Sequence, residues 1–186
     1  MIYYFKPYST EGRLFSAYDR YAMLIDNPDD YICFLDGDTL FLNKNWGHII
    51  EAYTKKYPDA GLITCYASRC SYRELIPRQG DPLNTDLKFH IEVSRILQKK
   101  HSKNLTIKHS KSKIAGYLML MKKSTWLQIR DLVRIEVNER GKKILGVDTA
   151  ISRAVLKIKK DIIVMRAVYI LHLFRLDNRG YKRGQN

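Results

Sequence analysis

The chain has 186 residues, of which 45% are apolar, and a formal net charge of +14. This length and composition allow one sizeable hydrophobic core and are too small for two, so we expect a single globular domain. No stretch approaches the roughly 18 to 20 apolar residues of a membrane-spanning helix, and none has the pattern of a secretory signal. These absences predict a soluble protein.

The positive charge is concentrated in the second half of the chain. Residues 1–98 carry 11 Lys or Arg and 13 Asp or Glu, whereas residues 99–186 carry 22 and 6. A concentration of positive charge attracts nucleic acid, an anionic membrane surface or a polyanionic substrate. The charge alone does not indicate which of these is the partner. A solvated basic surface without a specific partner is the remaining alternative.

The three cysteines, Cys33, Cys65 and Cys70, are odd in number and lack the spacing of metal ligands. Two of them lie inside apolar runs that have the pattern of strands. We therefore expect buried free thiols, the state that is typical of a reducing cytoplasm.

Strand and helix patterns alternate in the first half. The strand Ile2–Phe5 precedes a helix whose apolar residues begin at Leu14. The run Tyr31–Leu35 is apolar at every position, which is typical of a strand covered on both faces. A helix around Tyr53 and a strand over 60–66 follow. This order predicts an α/β fold with a mostly parallel central sheet and flanking helices.

The middle of the chain is less regular. Residues 67–83 have the composition of a loop, and a helix around Leu97 follows. The stretch Lys99–Lys113 is polar and basic, without an apolar period, which predicts a mobile or disordered loop.

Regular patterns then return. They predict a strand over 115–121, a short helix around Trp126 and a helix after Gly146. Two last strands are expected at Ile162–Met165 and Val168–Leu171. The folded domain should span 1–175, followed by a basic flexible tail over 176–186.

The tripeptide Asp36-Gly37-Asp38 is the first candidate site. A chain with this many aspartates contains an Asp-x-Asp roughly once by chance, so its context has to supply the argument. It follows the most apolar strand, at the edge where an open α/β sheet binds ligands. In an extended backbone both carboxylates point to one side and converge on Mg²⁺ or Mn²⁺, and Gly37 leaves room for a ligand. The alternative is an Asp-Gly turn that joins two strands.

Four segments carry a resemblance to a known family. Phe34–Thr39 looks like a strand-terminal Asp-x-Asp motif, Ala115–Leu120 like a glycine-led acceptor-side strand, and Gly146–Thr149 like a Glu-Asp helix start. His172 is placed like a third metal ligand at the end of a late strand. In this order, over about residues 1–175, they resemble the glycosyltransferases of the A-type fold, especially the family-2-like bacterial sugar transferases, in a compact form.

The resemblance implies a metal-dependent transferase that moves a monosaccharide from a nucleotide sugar, by resemblance UDP-linked, to a hydroxyl of a glycan or glycolipid, with inversion. It implies Mn²⁺ or Mg²⁺ as cofactor and a role in polysaccharide biosynthesis. Asp148 would be the general base. The implied metal ligands are Asp36, Asp38 and His172, and the implied nucleotide-binding residues are Pro7, Tyr8, Ser9, Asp36, Gly37 and Asp38.

Two of these assignments have ordinary structural alternatives, and the family pattern is not complete. Asp148 has the residue type of a helix cap, and His172 can be a satisfied histidine inside a strand. Val147 stands where the family has Glu, and the nucleotide-binding half before Asp36 is shortened.

The basic second half suggests peripheral contact with anionic lipid at the inner face of the membrane of a cytoplasmic enzyme, where lipid-linked acceptors lie. One alternative is a nucleic-acid-binding module, based on the isoelectric point of about 9.7, the Lys99–Lys113 stretch and 13 tyrosines. Most aromatic residues fall in strand and helix patterns and no nucleic-acid motif is present, which disfavours this module. Another alternative is a catalytically degenerate protein that only binds sugar nucleotides.

Overall fold

A computed structural model of the protein describes residues 1–9, 14–110, 113–139 and 146–174. Within these ranges the chain forms seven strands and five α-helices, so the predicted α/β class is confirmed. The strands are β1 Ile2–Phe5, β2 Tyr31–Leu35, β3 Thr39–Phe41, β4 Leu62–Ala67, β5 Ile107–Ser110, β6 Leu118–Lys122 and β7 Ile162–His172. The helices are α1 Leu14–Ala22, α2 Trp46–Lys56, α3 Leu87–His101, α4 Lys123–Glu139 and α5 Val147–Lys157.

The strands form one mixed sheet in the order β1-β2-β6-β4-β7-β3, with β5 also paired to β7. β1 runs parallel to β2, whereas β6 is antiparallel to both β2 and β4, and β3 is antiparallel to β7. The prediction of a mostly parallel sheet is therefore wrong. All five residues of β2 are buried, as their apolarity predicted, but burial on both faces does not fix the direction of the neighbouring strand.

The basic stretch Lys99–Lys113 is largely ordered, which corrects the prediction of a mobile loop. Its first three residues are the last turn of α3, and Ile107–Ser110 is the strand β5. In β5 the adjacent residues Lys108 and His109 are both exposed, whereas Ser110 is buried. A strand at the edge of a sheet tolerates such polar residues because only part of its surface faces the core.

Two elements near the C-terminus are longer than expected. α4 has 17 residues and is not short, and the two predicted last strands are one strand, β7, of 11 residues. The polar Arg166 divides the apolar pattern of β7, but its backbone N–H donates to the carbonyl oxygen of Thr106 and the backbone stays extended. The predicted tail over 176–186 lies outside the described residues.

The described residues group into two compact units, which here are called the first and second unit. The first unit comprises Met1–Gly37, Pro58–Thr64 and His109–Ile163. Its centre is the ring of Phe34, which lies 4.4 Å from the ring of Tyr18 and 5.7 Å from that of Trp126. The prediction of one catalytic domain over 1–175 stays a prediction.

The second unit comprises Asp38–Tyr57, Cys65–Lys108 and the segment from Val164 onward. The Tyr53 hydroxyl joins two of its parts, because it donates to the carbonyl oxygen of Thr106 and accepts from the backbone N–H of Ala167. His90 is buried and also satisfied, since Nε2–H donates to the carbonyl oxygen of Asn84 and Nδ1 accepts from the Tyr169 hydroxyl.

All three cysteines are buried and free, as predicted. Among the described residues, no helix combines the length and the apolarity that crossing a membrane would require.

Candidate functional site

The Asp36-Gly37-Asp38 segment is a turn between two strands that do not pair with each other. The backbone N–H of Asp36 donates to the carbonyl oxygen of Tyr117, which is the residue before β6. This hydrogen bond holds the end of β2 beside the start of β6. Gly37 and Asp38 then turn into β3, which pairs with β7. The predicted extended backbone at 36–38 is therefore wrong, because Gly37 and Asp38 form a turn that joins β2 to β3 without making a hairpin.

His172 is the last residue of β7 and is placed beside Asp38 by backbone pairing. Thr39 lies opposite His172 in the β3–β7 ladder, and the backbone N–H of Leu173 donates to the carbonyl oxygen of Asp38 at 3.0 Å. The side chain of His172 is buried, whereas that of Asp38 is 45% exposed. The pair is therefore accessible from the carboxylate side only.

Hydrogen bonding fixes the tautomer of His172. Its Nδ1 lies 2.7 Å from the carbonyl oxygen of Arg69, and because a carbonyl oxygen only accepts, Nδ1 carries the proton. In a neutral ring the lone pair is then on Nε2, which lies 3.4 Å from Oδ1 of Asp38. Two electron-rich atoms at this distance repel each other unless a proton or a cation lies between them.

The backbone around His172 is held by Ser68. The Ser68 hydroxyl accepts from the backbone N–H of His172 at 3.0 Å and donates to its carbonyl oxygen at 3.2 Å. The ring of Phe174 stacks on the imidazole, with 5.6 Å between the ring centroids. Backbone, ring orientation and tautomer of His172 are thus all fixed by neighbouring groups, as is typical of a metal-ligating histidine.

Asp36, Asp38 and His172 each offer one ligand atom, and these three atoms lie within 4.8 Å of one another. The structure therefore brings together the three residues predicted as metal ligands. Two carboxylates and one imidazole are a donor set that Mn²⁺ accepts readily and Mg²⁺ also tolerates, since both prefer oxygen ligands. The residues present fit the predicted cation.

Asp148 lies in the first turn of α5. Gly146, with a φ of 125°, occupies the cap position before the helix and uses a conformation that glycine adopts without strain. Asp148 is therefore not the N-cap. Its carboxylate still satisfies a backbone donor in the first turn of the helix, because Oδ1 accepts from the backbone N–H of Thr149 at 2.7 Å. Val147, at the position of the family's Glu, is buried and contributes to the core.

The environment of Asp148 favours a proton acceptor. Burial raises the pKa of its carboxyl group, and this effect outweighs the backbone N–H groups of Thr149 and Gly116 and the charge of Lys113, which lower it. A carboxylate with a raised pKa is a stronger base.

Gly116 lies between the carboxylates of Asp36 and Asp148. A side-chain carbon built on Gly116 would lie 3.6 Å from Oδ1 of Asp36 and 3.9 Å from Oδ2 of Asp148. The absence of a side chain therefore leaves a gap that both acids border. A ligand hydroxyl in this gap would meet acceptors on two sides.

Tyr18 is a residue of this region that the sequence analysis missed. It lies on α1 and is buried, and burial, together with the negative charges of Asp36 and Asp148, raises the pKa of its hydroxyl group. The phenol therefore stays protonated and can donate. The only sequence signal for Tyr18 is its position in the apolar stripe of α1, which equally indicates a core residue.

Ser68 and Arg69 were also missed, because the segment after β4 has a loop-like sequence. They act on His172 through a hydroxyl and a backbone carbonyl oxygen. Every residue type has a backbone carbonyl oxygen, so no sequence motif could have identified Arg69 as the hydrogen-bond acceptor of His172.

The predicted nucleotide-binding residues Pro7, Tyr8 and Ser9 follow β1 at the sheet edge that also carries Asp36. Phe5 is paired with Phe34 in the parallel β1–β2 ladder, so Pro7 and Asp36 are each two residues beyond that pair. Tyr8 is 77% exposed and presents an aromatic ring to solvent. The register thus places Pro7 level with Asp36 along the two strands.

No protein-family model matches the chain, and no curated protein sequence does.

Proposed function

We propose that the protein is a metal-dependent glycosyltransferase with the A-type fold, which transfers a monosaccharide from a UDP-sugar to a hydroxyl of a glycan or glycolipid. The observation that carries the proposal is the arrangement of His172, whose Nδ1–H is bound to Arg69 and whose Nε2 faces Asp38. A cation between the lone pair of Nε2 and the carboxylate of Asp38 would be bound by both, which supports a metal site.

A divalent cation held by Asp36, Asp38 and His172 would neutralise negative charge on the diphosphate leaving group. The chain's own residues supply the remaining functions. The exposed carboxylate of Asp38 leaves the site open on the side where a diphosphate would approach. Tyr8 presents a ring on which a nucleotide base can stack.

Asp148 is proposed as the general base. In the transfer step the acceptor oxygen forms a bond to the anomeric carbon, the bond from that carbon to the diphosphate oxygen breaks, and the hydroxyl proton moves to the carboxylate of Asp148. Its raised pKa supports this role. The gap at Gly116, bordered by Asp36 and Asp148, offers space for a reacting hydroxyl. Attack from the face opposite the diphosphate inverts the anomeric centre.

The decisive experiment is a panel of nucleotide sugars incubated with the protein and Mn²⁺, in which water replaces the acceptor. Glycosyl transfer to water releases UDP and free sugar. A hydrolase that used the same metal ligands to cleave the pyrophosphate bond of the donor would release UMP and sugar phosphate instead. Mn²⁺-dependent UDP release from one donor supports the proposal, and UMP formation or metal-independent turnover contradicts it.

A further inference from the structure

A second surface of the first unit, remote in sequence from the metal ligands, has features of its own. A groove of about 310 Å³ lies between α4 and α5. It is lined by Leu132, Ile135, Glu136, Arg153, Ala154 and Lys157. Three of these side chains are apolar, although the groove opens to solvent.

The helices beside the groove expose further apolar side chains. Ile135 is 50% exposed, and Leu127 and Leu156 are also exposed. Leu127 and Ile135 lie eight residues apart on α4, which separates them by about 12 Å along the helix and about 80° around its axis. The groove and the exposed side chains of α4 and α5 beside it are here called the α4–α5 face.

This face is also basic. Residues 127–137 and 149–160 contain six Lys or Arg and two Asp or Glu. Three of the arginines are paired with carboxylates: Arg134 with Asp131 at 3.0 Å, Arg153 with Glu136 at 2.6 Å, and Arg130 with Asp19 of α1 at 2.6 Å. The other three of the six cations are Lys157, Lys159 and Lys160, of which Lys160 donates to the Thr125 hydroxyl at 3.2 Å. Apolar side chains surrounded by cations are the composition of a surface that binds at the headgroup level of an anionic bilayer.

We propose that the α4–α5 face docks the protein on an anionic lipid bilayer. Ile135 and its apolar neighbours enter the boundary of the acyl chains, and the cations meet lipid phosphates. A second copy of the chain fits this face less well, because a two-fold interface would place the same cations against each other. Nucleic acid also fits it less well, since residues 127–137 and 149–160 contain no aromatic side chain on which bases could stack.

The test compares two double variants of the full chain. Ile135→Gln with Lys157→Gln changes the α4–α5 face. Ile96→Gln with Lys99→Gln changes the outer side of α3 in the second unit, where Ile96 is 42% exposed and Lys99 is also exposed. The two variants have the same composition and net charge. Binding is measured by flotation with phosphatidylcholine vesicles, with and without phosphatidylglycerol, and melting temperatures confirm folding.

We expect the native chain to bind vesicles that contain phosphatidylglycerol, and to release them as salt is raised. The α4–α5 variant should lose affinity by about ten-fold, and the α3 variant by less than about two-fold. Equal loss in both variants, or equal binding to neutral vesicles, would overturn the proposal. So would a stable dimer that the α4–α5 variant disrupts, or tighter binding to single-stranded DNA than to either vesicle.

A second measurement does not depend on lost affinity. In Leu156→Trp a new indole lies on the proposed face, and in Ile96→Trp it lies on α3. Vesicles should shift the emission of the first variant to the blue, relative to native protein, and leave the second unchanged. The reverse pattern would overturn the proposal. Both measurements omit sugar nucleotide and metal, so their outcome is separate from that of the proposed transferase activity.

Discussion

His172 donates its Nδ1–H to the carbonyl oxygen of Arg69 at 2.7 Å, and this one hydrogen bond determines what the ring can do on its other side. With the proton fixed on Nδ1, Nε2 presents a lone pair to Asp38 and to any cation that the carboxylate attracts. The tautomer of His172 is therefore fixed by a backbone atom of a residue more than 100 positions away in sequence.

Asp38→Asn should weaken Mn²⁺ binding at least about ten-fold, because it removes one negative ligand while keeping the shape of the side chain. The melting temperature should stay within about 1–2 °C of the native value, since the carboxylate is nearly half exposed. Calorimetry with Mn²⁺ and UDP measures the first effect. Asp161→Asn is the matched control, because Asp161 also faces a histidine, His109, at 3.7 Å but on an exposed surface. Equal losses in both variants would remove Asp38 from the metal site.

Ser68→Ala should destabilise the protein by about 1–3 kcal/mol. The substitution removes a buried hydroxyl that accepts from the backbone N–H of His172, and that donor is then left without its partner in the interior. Urea unfolding followed by tryptophan fluorescence measures the change. We also expect weaker Mn²⁺ binding at a temperature where the variant is fully folded. An unchanged metal affinity would mean that Ser68 stabilises β7 without positioning His172.

Asp148→Asn should retain binding of donor and metal but lose on the order of 10² to 10⁴ in transfer rate, the range that a positioned general base supplies. Asparagine keeps the shape of the side chain, and its oxygen can still accept from Thr149, so a lost helix contact is not confused with a lost base. Near-normal transfer would assign Asp148 a structural role. Retention of the donor's anomeric configuration in the product, measured by NMR, would contradict an inverting mechanism.

The raised pKa of Asp148 also predicts a pH dependence of stability. Folding raises this pKa above its ordinary value of 3.8, so the folded state binds the proton more tightly than the unfolded state. The resulting stability is present at low pH and is lost as pH rises through the raised pKa. The melting temperature of the native chain relative to Asp148→Asn should therefore fall as pH increases across this window. Scanning calorimetry in EDTA measures it, and a difference that is constant with pH would contradict burial of the carboxylate.

Gly37→Ala and Gly47→Ala form a matched pair that tests whether a ligand approaches the turn. A side-chain carbon at either position would meet no protein atom within 4 Å, and neither glycine has a positive φ. Both variants should fold with native stability, the second gaining slightly from helix propensity. If a nucleotide sugar lies against Gly37, only Gly37→Ala should weaken UDP binding, by several-fold. Equal affinities would place the ligand elsewhere.

The sequence by itself determined the α/β class, most of the strands and helices, and the set of candidate ligands. Runs such as Tyr31–Leu35 are apolar enough to require burial on both faces, and burial is a property of composition that can be read along the chain. The sequence also predicted that Asp148 lies at the start of α5, because a glycine such as Gly146 often marks the boundary of a helix.

Only the tertiary structure decided the direction of β6, the continuity of β7 and the surroundings of His172. Strand direction depends on which segments pair, and the pairing of β6 with β2 and β4 brings together residues far apart in sequence. The tautomer of His172 depends on the carbonyl oxygen of Arg69, which every residue type possesses. Side-chain chemistry is therefore encoded locally, whereas its orientation, protonation and neighbours arise from long-range contacts that no local pattern specifies.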